Sequence, residues 1–113
     1  MLANTFQDCV MRTASNGLTK NEALTNAAMG LAGESGEYVD ILKKALFHGH
    51  ELDVAKCKNE LGDILYYVAW AADTLGFTLA EVMEGNVAKL LKRYPNGFNT
   101  EDSIKRVDVE GSK

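Results

Sequence analysis

The chain has 113 residues, enough for one domain with one modest core. Its composition is typical of a folded globular protein, with 46% hydrophobic and 25% charged residues, and its formal net charge is −4. This charge argues against a surface for DNA or RNA, and it leaves the phosphates of any ligand to be neutralised by a bound cation. Two cysteines without CxxC spacing are too few for a disulfide framework.

The sequence also bears on location. The N-terminal residues lack the basic segment and the long apolar run of a signal peptide. No apolar run approaches the roughly 20 residues that a membrane span needs. We therefore expect a cytoplasmic protein with no membrane partner.

The pattern predicts four helices followed by a polar tail. The first helix covers about residues 3–14. Thr19 and Glu22 form a capping box that opens the second helix, which runs to about residue 47. Asp53 caps a third helix that ends near residue 75, and a second capping box at residues 78–81 opens a fourth that ends near residue 93.

The domain prediction follows from these elements. Residues 1–98 form one all-α domain, and residues 99–113 form a polar C-terminal tail. The tail holds either a short helical turn near residues 101–105 or no regular structure.

The second and third helices carry apolar residues at helical spacing, so we expect them to pack as an antiparallel pair with the first and fourth helices alongside. The second helix also contains Gly30, Gly33 and Gly36, which suggests close approach of another backbone or a ligand. The two stripes are Leu24, Ala27, Ala28, Leu31, Tyr38, Ile41, Leu42, Ala45 and Leu46, then Cys57, Leu61, Ile64, Leu65, Val68, Ala72 and Leu75.

The third helix carries apolar side chains on more than one face. Surplus apolar surface of this kind usually marks a subunit contact, so we expect a homo-oligomer formed through helix faces. The residues concerned are Tyr66, Tyr67, Val68, Trp70 and Leu75.

Two pairs of carboxylates lie one turn apart on the second and third helices, Glu34 with Glu37 and Glu60 with Asp63. At about 100° per residue, Glu34 and Glu60 lie about 70° and about 80° from the centres of their apolar stripes. Because these offsets match, packing the two stripes together would bring all four carboxylates to one edge of the interface. Clustered carboxylates repel one another unless a cation lies among them or their pKa values rise.

The ligand type selects the metal. All-oxygen coordination suits Mg²⁺ or Mn²⁺, which keep bound waters and accept substrate phosphates. A di-iron bundle would need Glu-x-x-His motifs, which neither pair provides. The loop with His48 and His50 offers no third His or Cys for zinc.

Three segments make the sequence recognisable, namely Gly33-Glu34-Ser35-Gly36-Glu37, Glu60-Leu61-Gly62-Asp63-Ile64-Leu65-Tyr66 and Arg93-Tyr94-Pro95-Asn96-Gly97-Phe98. In this order they resemble the MazG-like nucleotide pyrophosphohydrolases of the all-α NTP pyrophosphatase superfamily. The resemblance implies a four-helix fold that works as a dimer or tetramer, and we favour a tetramer built as a dimer of dimers. It also implies that the metal is held by Glu34, Glu37, Glu60 and Asp63.

The resemblance extends to the substrate. Asn86, Lys89 and Arg93 share one face of the fourth helix, which resembles the phosphate-contacting helix of the family. Lys44 lies toward the carboxylate side of the second helix and is a further candidate phosphate ligand. The amide of Gln7 on the first helix is a candidate for pairing with a base edge.

Two differences from the family pattern bear on which nucleobase the substrate carries. Tyr66 and Tyr67 stand where the family often has a Trp, and Tyr38 follows the first motif where a small aliphatic residue is common. We therefore transfer no base preference, and we expect Trp70 to serve in the core or an interface.

The resemblance further implies a Mg²⁺-dependent hydrolase, with Mn²⁺ as a substitute cofactor, that cleaves an NTP or dNTP between the α and β phosphates. The products are a nucleoside monophosphate and pyrophosphate, and the role is nucleotide pool control. Glu37 or Glu60 would orient the attacking water. Two alternatives stay open: a catalytically silent helical regulatory or interaction protein, and a superfamily relative specific for dUTP, dCTP or phosphoribosyl-ATP.

Overall fold

The structure of the chain is a computed structural model that describes residues 1–109. Over this range the chain is helical, with one isolated β-bridge between Pro95 and Gly97. The helices are α1 (Ala3–Met11), α2 (Lys20–Phe47), α3 (Val54–Thr74), α4 (Leu79–Arg93) and α5 (Thr100–Lys105). The predicted all-α fold is confirmed. Within residues 1–109, none of the helices has both the length and the apolar character of a membrane span.

Capping side chains explain where α2 and α3 begin. The Glu22 N–H donates to Thr19 Oγ1 at 3.1 Å, and the Thr19 N–H donates to Glu22 Oε1 at 2.9 Å. The Lys56 N–H donates to Asp53 Oδ1 at 3.0 Å. These bonds satisfy backbone donors that a helix leaves without partners, so the capping box at Thr19 and the Asp53 cap are confirmed.

One helix boundary differs from the prediction, and one open alternative is decided. The first helix ends at Met11 instead of near residue 14, because the N–H groups of Thr13 and Ala14 both donate to the Val10 carbonyl in a closing turn. The tail contains the short helix α5, capped by Asn99, whose Oδ1 accepts from the Asp102 N–H at 2.8 Å. Of the two alternatives for the tail, the helical turn is therefore the one observed.

The chain divides into two compact units, Met1–Leu79 and a C-terminal unit that begins at Ala80. In the first unit α2 and α1 both pack against α3. The buried core consists of Val10, Ala27, Ala69, Trp70 and Leu79. Trp70 is only 4% exposed, which confirms the expected core position. The C-terminal unit holds most of α4 together with α5.

The apolar stripes are only partly buried within the chain. Leu46, Leu61 and Leu65 were expected in the core but are 74%, 47% and 52% exposed. The buried core forms near Ala27 and Ala69, where α1 also packs against α3, so the longer side chains nearer the α2–α3 turn lie outside it. Conversely, three residues expected as surplus surface pack half-buried against the core: Tyr66, Tyr67 and Val68.

Gly30 provides the close approach that the small residues of α2 suggested. A Cβ atom at this position would overlap the ring of Tyr67. That ring has little freedom to move, since it stacks on Trp70 with centroids 6.0 Å apart and meets the edge of Tyr66 at 5.1 Å. Among the described residues, no side chain or other backbone lies within 4 Å of the equivalent position at Gly33 or Gly36. The three glycines of α2 therefore serve different purposes.

This difference predicts opposite effects of the same substitution. Gly30→Ala is expected to lower the free energy of unfolding by about 1–3 kcal/mol, because the methyl group displaces the Tyr67 ring. Gly33→Ala, the matched control, is expected to raise it by up to about 1 kcal/mol, because alanine is the better helix former. Urea denaturation followed by circular dichroism measures both. Equal stabilisation by the two substitutions would contradict the role assigned to Tyr67.

Candidate functional site

Three glutamates meet where α2 packs against α3. Glu34 and Glu37 lie one turn apart on α2, and Glu60 lies on α3. Each offers one carboxylate oxygen, and these three oxygens lie within 4.8 Å of one another. Asp63 follows Glu60 by one turn and is exposed, and it stands outside this group of three. The clustering inferred from the matched offsets is thus observed for three of the four carboxylates.

Two oxygens of the cluster are buried without a partner. Glu34 Oε2 and Glu60 Oε2 are inaccessible to solvent and accept no hydrogen bond from the described residues. A buried polar atom without a partner costs about 1–3 kcal/mol, and a charged one costs more. A cation among the carboxylates would remove this cost. The set of oxygen donors therefore fits a hard divalent ion.

The electrostatics of Glu34 agree with this picture. The neighbouring carboxylate of Glu60 is the main cause that raises the pKa of Glu34 from 4.5 to about 7. Burial contributes next, followed by the carboxylate of Glu37 and then the charge of Asp63. Without a cation the cluster therefore holds a proton on Glu34 at mildly acidic pH.

A cavity of about 580 Å³ adjoins the cluster. Its walls include Glu37 and Glu60, and the absence of side chains at Gly33 and Gly36 keeps it open. A second cavity of about 530 Å³ lies at the turn between α2 and α3. Its walls include Lys44, and both cavities share Ile41 and Lys56.

Sequence reasoning missed two charged residues beside the carboxylates, Asp40 and Lys56, which both line the first cavity. Their spacing was a usable signal: Asp40 follows Glu37 by three residues, and Lys56 precedes Glu60 by four, so each shares a helix face with the cluster. Lys44 Nζ lies 2.9 Å from Asp40 Oδ2. The pairing with Lys44 is the main cause that holds the pKa of Asp40 below its usual range.

Gln7 lies in the first unit, only 5% exposed. Its Nε2 donates to the carbonyls of Phe77 at 2.9 Å and Ala69 at 3.4 Å, and its Oε1 accepts from the Leu79 N–H at 2.8 Å. The amide thus ties α1 to α3, to the loop that follows α3 and to the first residue of α4. The role of Gln7 in base binding stays a prediction, and it would require these bonds to be exchanged.

The other predicted phosphate ligands lie in the C-terminal unit. Asn86 and Lys89 are exposed on α4. Arg93, at the end of the same helix, is occupied: its Nε donates to Asp108 Oδ1 at 2.6 Å and its Nη2 to Oδ2 at 2.8 Å. The guanidinium also lies over the Tyr94 ring, 5.8 Å from the centroid. No sequence signal pointed to Asp108 as a partner of Arg93.

Comparison with known proteins identifies the family. The profile of the "MazG nucleotide pyrophosphohydrolase domain" matches residues 22–98, which is more than half of the chain and spans both carboxylate motifs. The "Gene 37 protein" of Mycobacterium phage L5 is 35% identical over 80 residues, covering 67% of this chain and 70% of the phage protein. No solved structure matches the chain. The resemblance seen in the sequence is therefore confirmed, and the chain belongs to the MazG nucleotide pyrophosphohydrolase family.

Proposed function

We propose that the chain is a Mg²⁺-dependent nucleoside triphosphate pyrophosphohydrolase. It cleaves an NTP or dNTP between the α and β phosphates and releases a nucleoside monophosphate and pyrophosphate. The observation that carries this proposal is the cluster of Glu34, Glu37 and Glu60, with two buried oxygens that receive no hydrogen bond from residues 1–109. Membership of a nucleotide pyrophosphohydrolase family supports the reaction type.

The metal would be held by the three clustered glutamates together with Asp63. Oxygen ligands alone favour Mg²⁺, with Mn²⁺ as a substitute. When bound, the cation supplies charge to the substrate phosphates and lowers the pKa of a water molecule. Asp63 is exposed, one turn from Glu60 on α3, so it is suited to complete the ligand set from the solvent side.

The chain's own residues then orient the reactants. Glu37 and Glu60 both line the cavity beside the cluster, so either carboxylate can accept a proton from a water molecule aimed at the α phosphorus. The oxygen of that water forms the new bond to phosphorus as the bond to the bridging oxygen of the β phosphate breaks. Lys89 and Arg93 would offset the negative charge on the departing pyrophosphate, and Asn86 would donate to a phosphate oxygen.

Two further residues complete the proposed substrate contacts. Lys44 lines the cavity at the α2–α3 turn, which shares Ile41 and Lys56 with the cavity beside the carboxylates. An ammonium group there can approach the phosphate chain of a substrate in the first cavity. Gln7 is retained as the candidate for base contact, subject to the rearrangement of its hydrogen bonds.

We further propose a cytoplasmic homo-oligomer, a tetramer in preference to a dimer, that serves nucleotide pool control. Exposed apolar side chains on α3 and at its end support association, among them Leu61, Leu65 and the C-cap Leu75 at 47%, 52% and 51% exposure. Apolar surface of this kind stabilises a subunit contact when a second copy covers it.

A substrate panel tests the reaction. The four common ribonucleoside and four common deoxyribonucleoside triphosphates, with dUTP and phosphoribosyl-ATP added, are incubated with Mg²⁺ while pyrophosphate is measured. We expect pyrophosphate in equal amount to a nucleoside monophosphate, and none in EDTA. Release of orthophosphate with a nucleoside diphosphate would contradict the cleavage position. Absence of pyrophosphate with every substrate would favour a silent regulatory protein.

A further inference from the structure

The ion pair between Arg93 and Asp108 belongs to no step of the proposed reaction. We propose that residues 106–109, here called the strap, form an autoinhibitory contact in which the Asp108 carboxylate occupies Arg93 in place of a substrate phosphate. This inference rests on the proposed function, because Arg93 is a candidate ligand of the departing pyrophosphate.

The geometry of the pair is that of anion recognition. Asp108 accepts two parallel hydrogen bonds, from Nε at 2.6 Å and from Nη2 at 2.8 Å, which is how arginine also binds phosphate. The pair is well covered, since the Arg93 side chain is 15% exposed and that of Asp108 is 1% exposed. A phosphate cannot use the same edge of the guanidinium while Asp108 remains there.

The neighbouring polar residues on α4 differ from Arg93 in having no anionic partner among the described residues. Asn86 and Lys89 share a helix face with Arg93, and both are exposed. Neither side chain has a hydrogen-bond or ion-pair partner within the described part of the C-terminal unit. Arg93 is therefore the one member of this anion-binding face that already holds an anion.

The strap begins at the residue that caps the end of α5. Arg106 adopts a left-handed conformation there with φ of 49°, which is unfavourable for an L-residue. Its N–H donates to the Asp102 carbonyl at 3.0 Å, and its carbonyl accepts from the Val109 N–H at 2.9 Å. Val107 and Val109 are each 42% exposed, so the ion pair is the main buried contact of the strap.

Acidification does not release such a contact. The hydrogen bonds from Arg93 are the main cause that lowers the pKa of Asp108 to about 2. Both partners therefore stay charged throughout the range in which enzymes work. A competing polyanion is the agent suited to displace Asp108, and the triphosphate of the substrate is one.

Kinetics of Asp108→Asn test the strap, with Asp8→Asn, an exposed site on α1, as the matched control. An asparagine loses the charge that competes with phosphate, so KM for the NTP is expected to fall about 3- to 10-fold with kcat unchanged. This is the effect of raising the fraction of molecules competent to bind. An unchanged or higher KM in a folded variant would overturn the proposal.

A second measurement covers the case in which Asp108→Asn does not fold, or in which no variant releases pyrophosphate. The wild-type chain is titrated with inorganic tripolyphosphate and Mg²⁺ while the Arg93 Nε–H and Val109 amide resonances are followed by NMR. We expect both resonances to move together as the polyanion replaces Asp108. If both stay in place at saturating tripolyphosphate, the strap is a structural tether and the proposal fails. Failure of the proposed function itself appears separately, in the substrate panel.

Discussion

Replacing Glu60 with glutamine is expected to abolish pyrophosphate release and to leave the helical fold intact. Glutamine has nearly the same shape as glutamate, but it carries no negative charge. It therefore removes one charged ligand from the proposed metal site. Loss of a group that stabilises charge at a reacting centre costs roughly 10²–10³-fold in kcat. Glu60 is expected to exceed this range, since it is proposed both to hold the metal and to orient water.

Stability separates loss of function from loss of fold. A hydrogen bond to the Glu60 side chain is the main cause of the raised pKa of Glu34, and an amide at position 60 can donate to an ionised Glu34 instead. The metal-free variant is therefore expected to melt no lower than the wild type. Glu101→Gln, an exposed site on α5, is the matched control and should keep both activity and melting temperature. A folded Glu60→Gln protein with full activity would remove Glu60 from the mechanism.

The elements that could be predicted are those with local causes. The capping box at Thr19 and the Asp53 cap bond only within their own helix turns, so a short stretch of sequence contains the whole interaction. Glu34 and Glu37 share a face of α2 by spacing alone. Predicting that they lie close to Glu60 requires one further inference, which is that both helices carry their carboxylates at the same angle from the apolar stripe.

The features that escaped prediction depend on partners that are distant or locally ambiguous. Gln7 forms hydrogen bonds to backbone groups 62 to 72 residues away, and a sequence pattern cannot predict which backbone groups a side chain will meet. Asp108 meets Arg93, 15 residues earlier, after the chain turns at Arg106. Periodicity also cannot tell which edge of a stripe is covered, so it predicts a core position for Leu61 and Leu65, which are about half exposed.

Replacing Glu34 with glutamine is expected to stabilise the metal-free protein and to remove its stabilisation by Mg²⁺. The folded-state pKa of Glu34 is about 7, against 4.5 as its ordinary value. Between these values the folded chain binds more protons than the unfolded chain, so the stability of the wild type falls as pH rises through this window. Glutamine does not titrate, so the stability of the Glu34→Gln variant does not fall in this pH window.

The size of the effect depends on pH. Near pH 4.5 the wild type and Glu34→Gln should unfold at similar temperatures in EDTA. At pH 8 the variant should be more stable by about 1 kcal/mol after allowance for screening by solvent, or roughly 4 °C in melting temperature. Differential scanning calorimetry in EDTA at several pH values measures the gap, and Glu101→Gln should show none.

Magnesium is expected to reverse the order of the two proteins. A ligand at 100 times its dissociation constant stabilises a folded protein by about 2.7 kcal/mol, and the wild type should gain an amount of this order at saturation. The variant should gain much less, because one carboxylate of the site is gone.

A variant less stable than the wild type in EDTA at pH 8 would mean that Glu34 has a favourable partner in the metal-free chain. A variant that keeps the whole gain from Mg²⁺ would show that the cation binds elsewhere. The reversal is the stronger result, since a carboxylate that destabilises the empty fold and stabilises the loaded one is expected of a metal ligand and not of a structural residue.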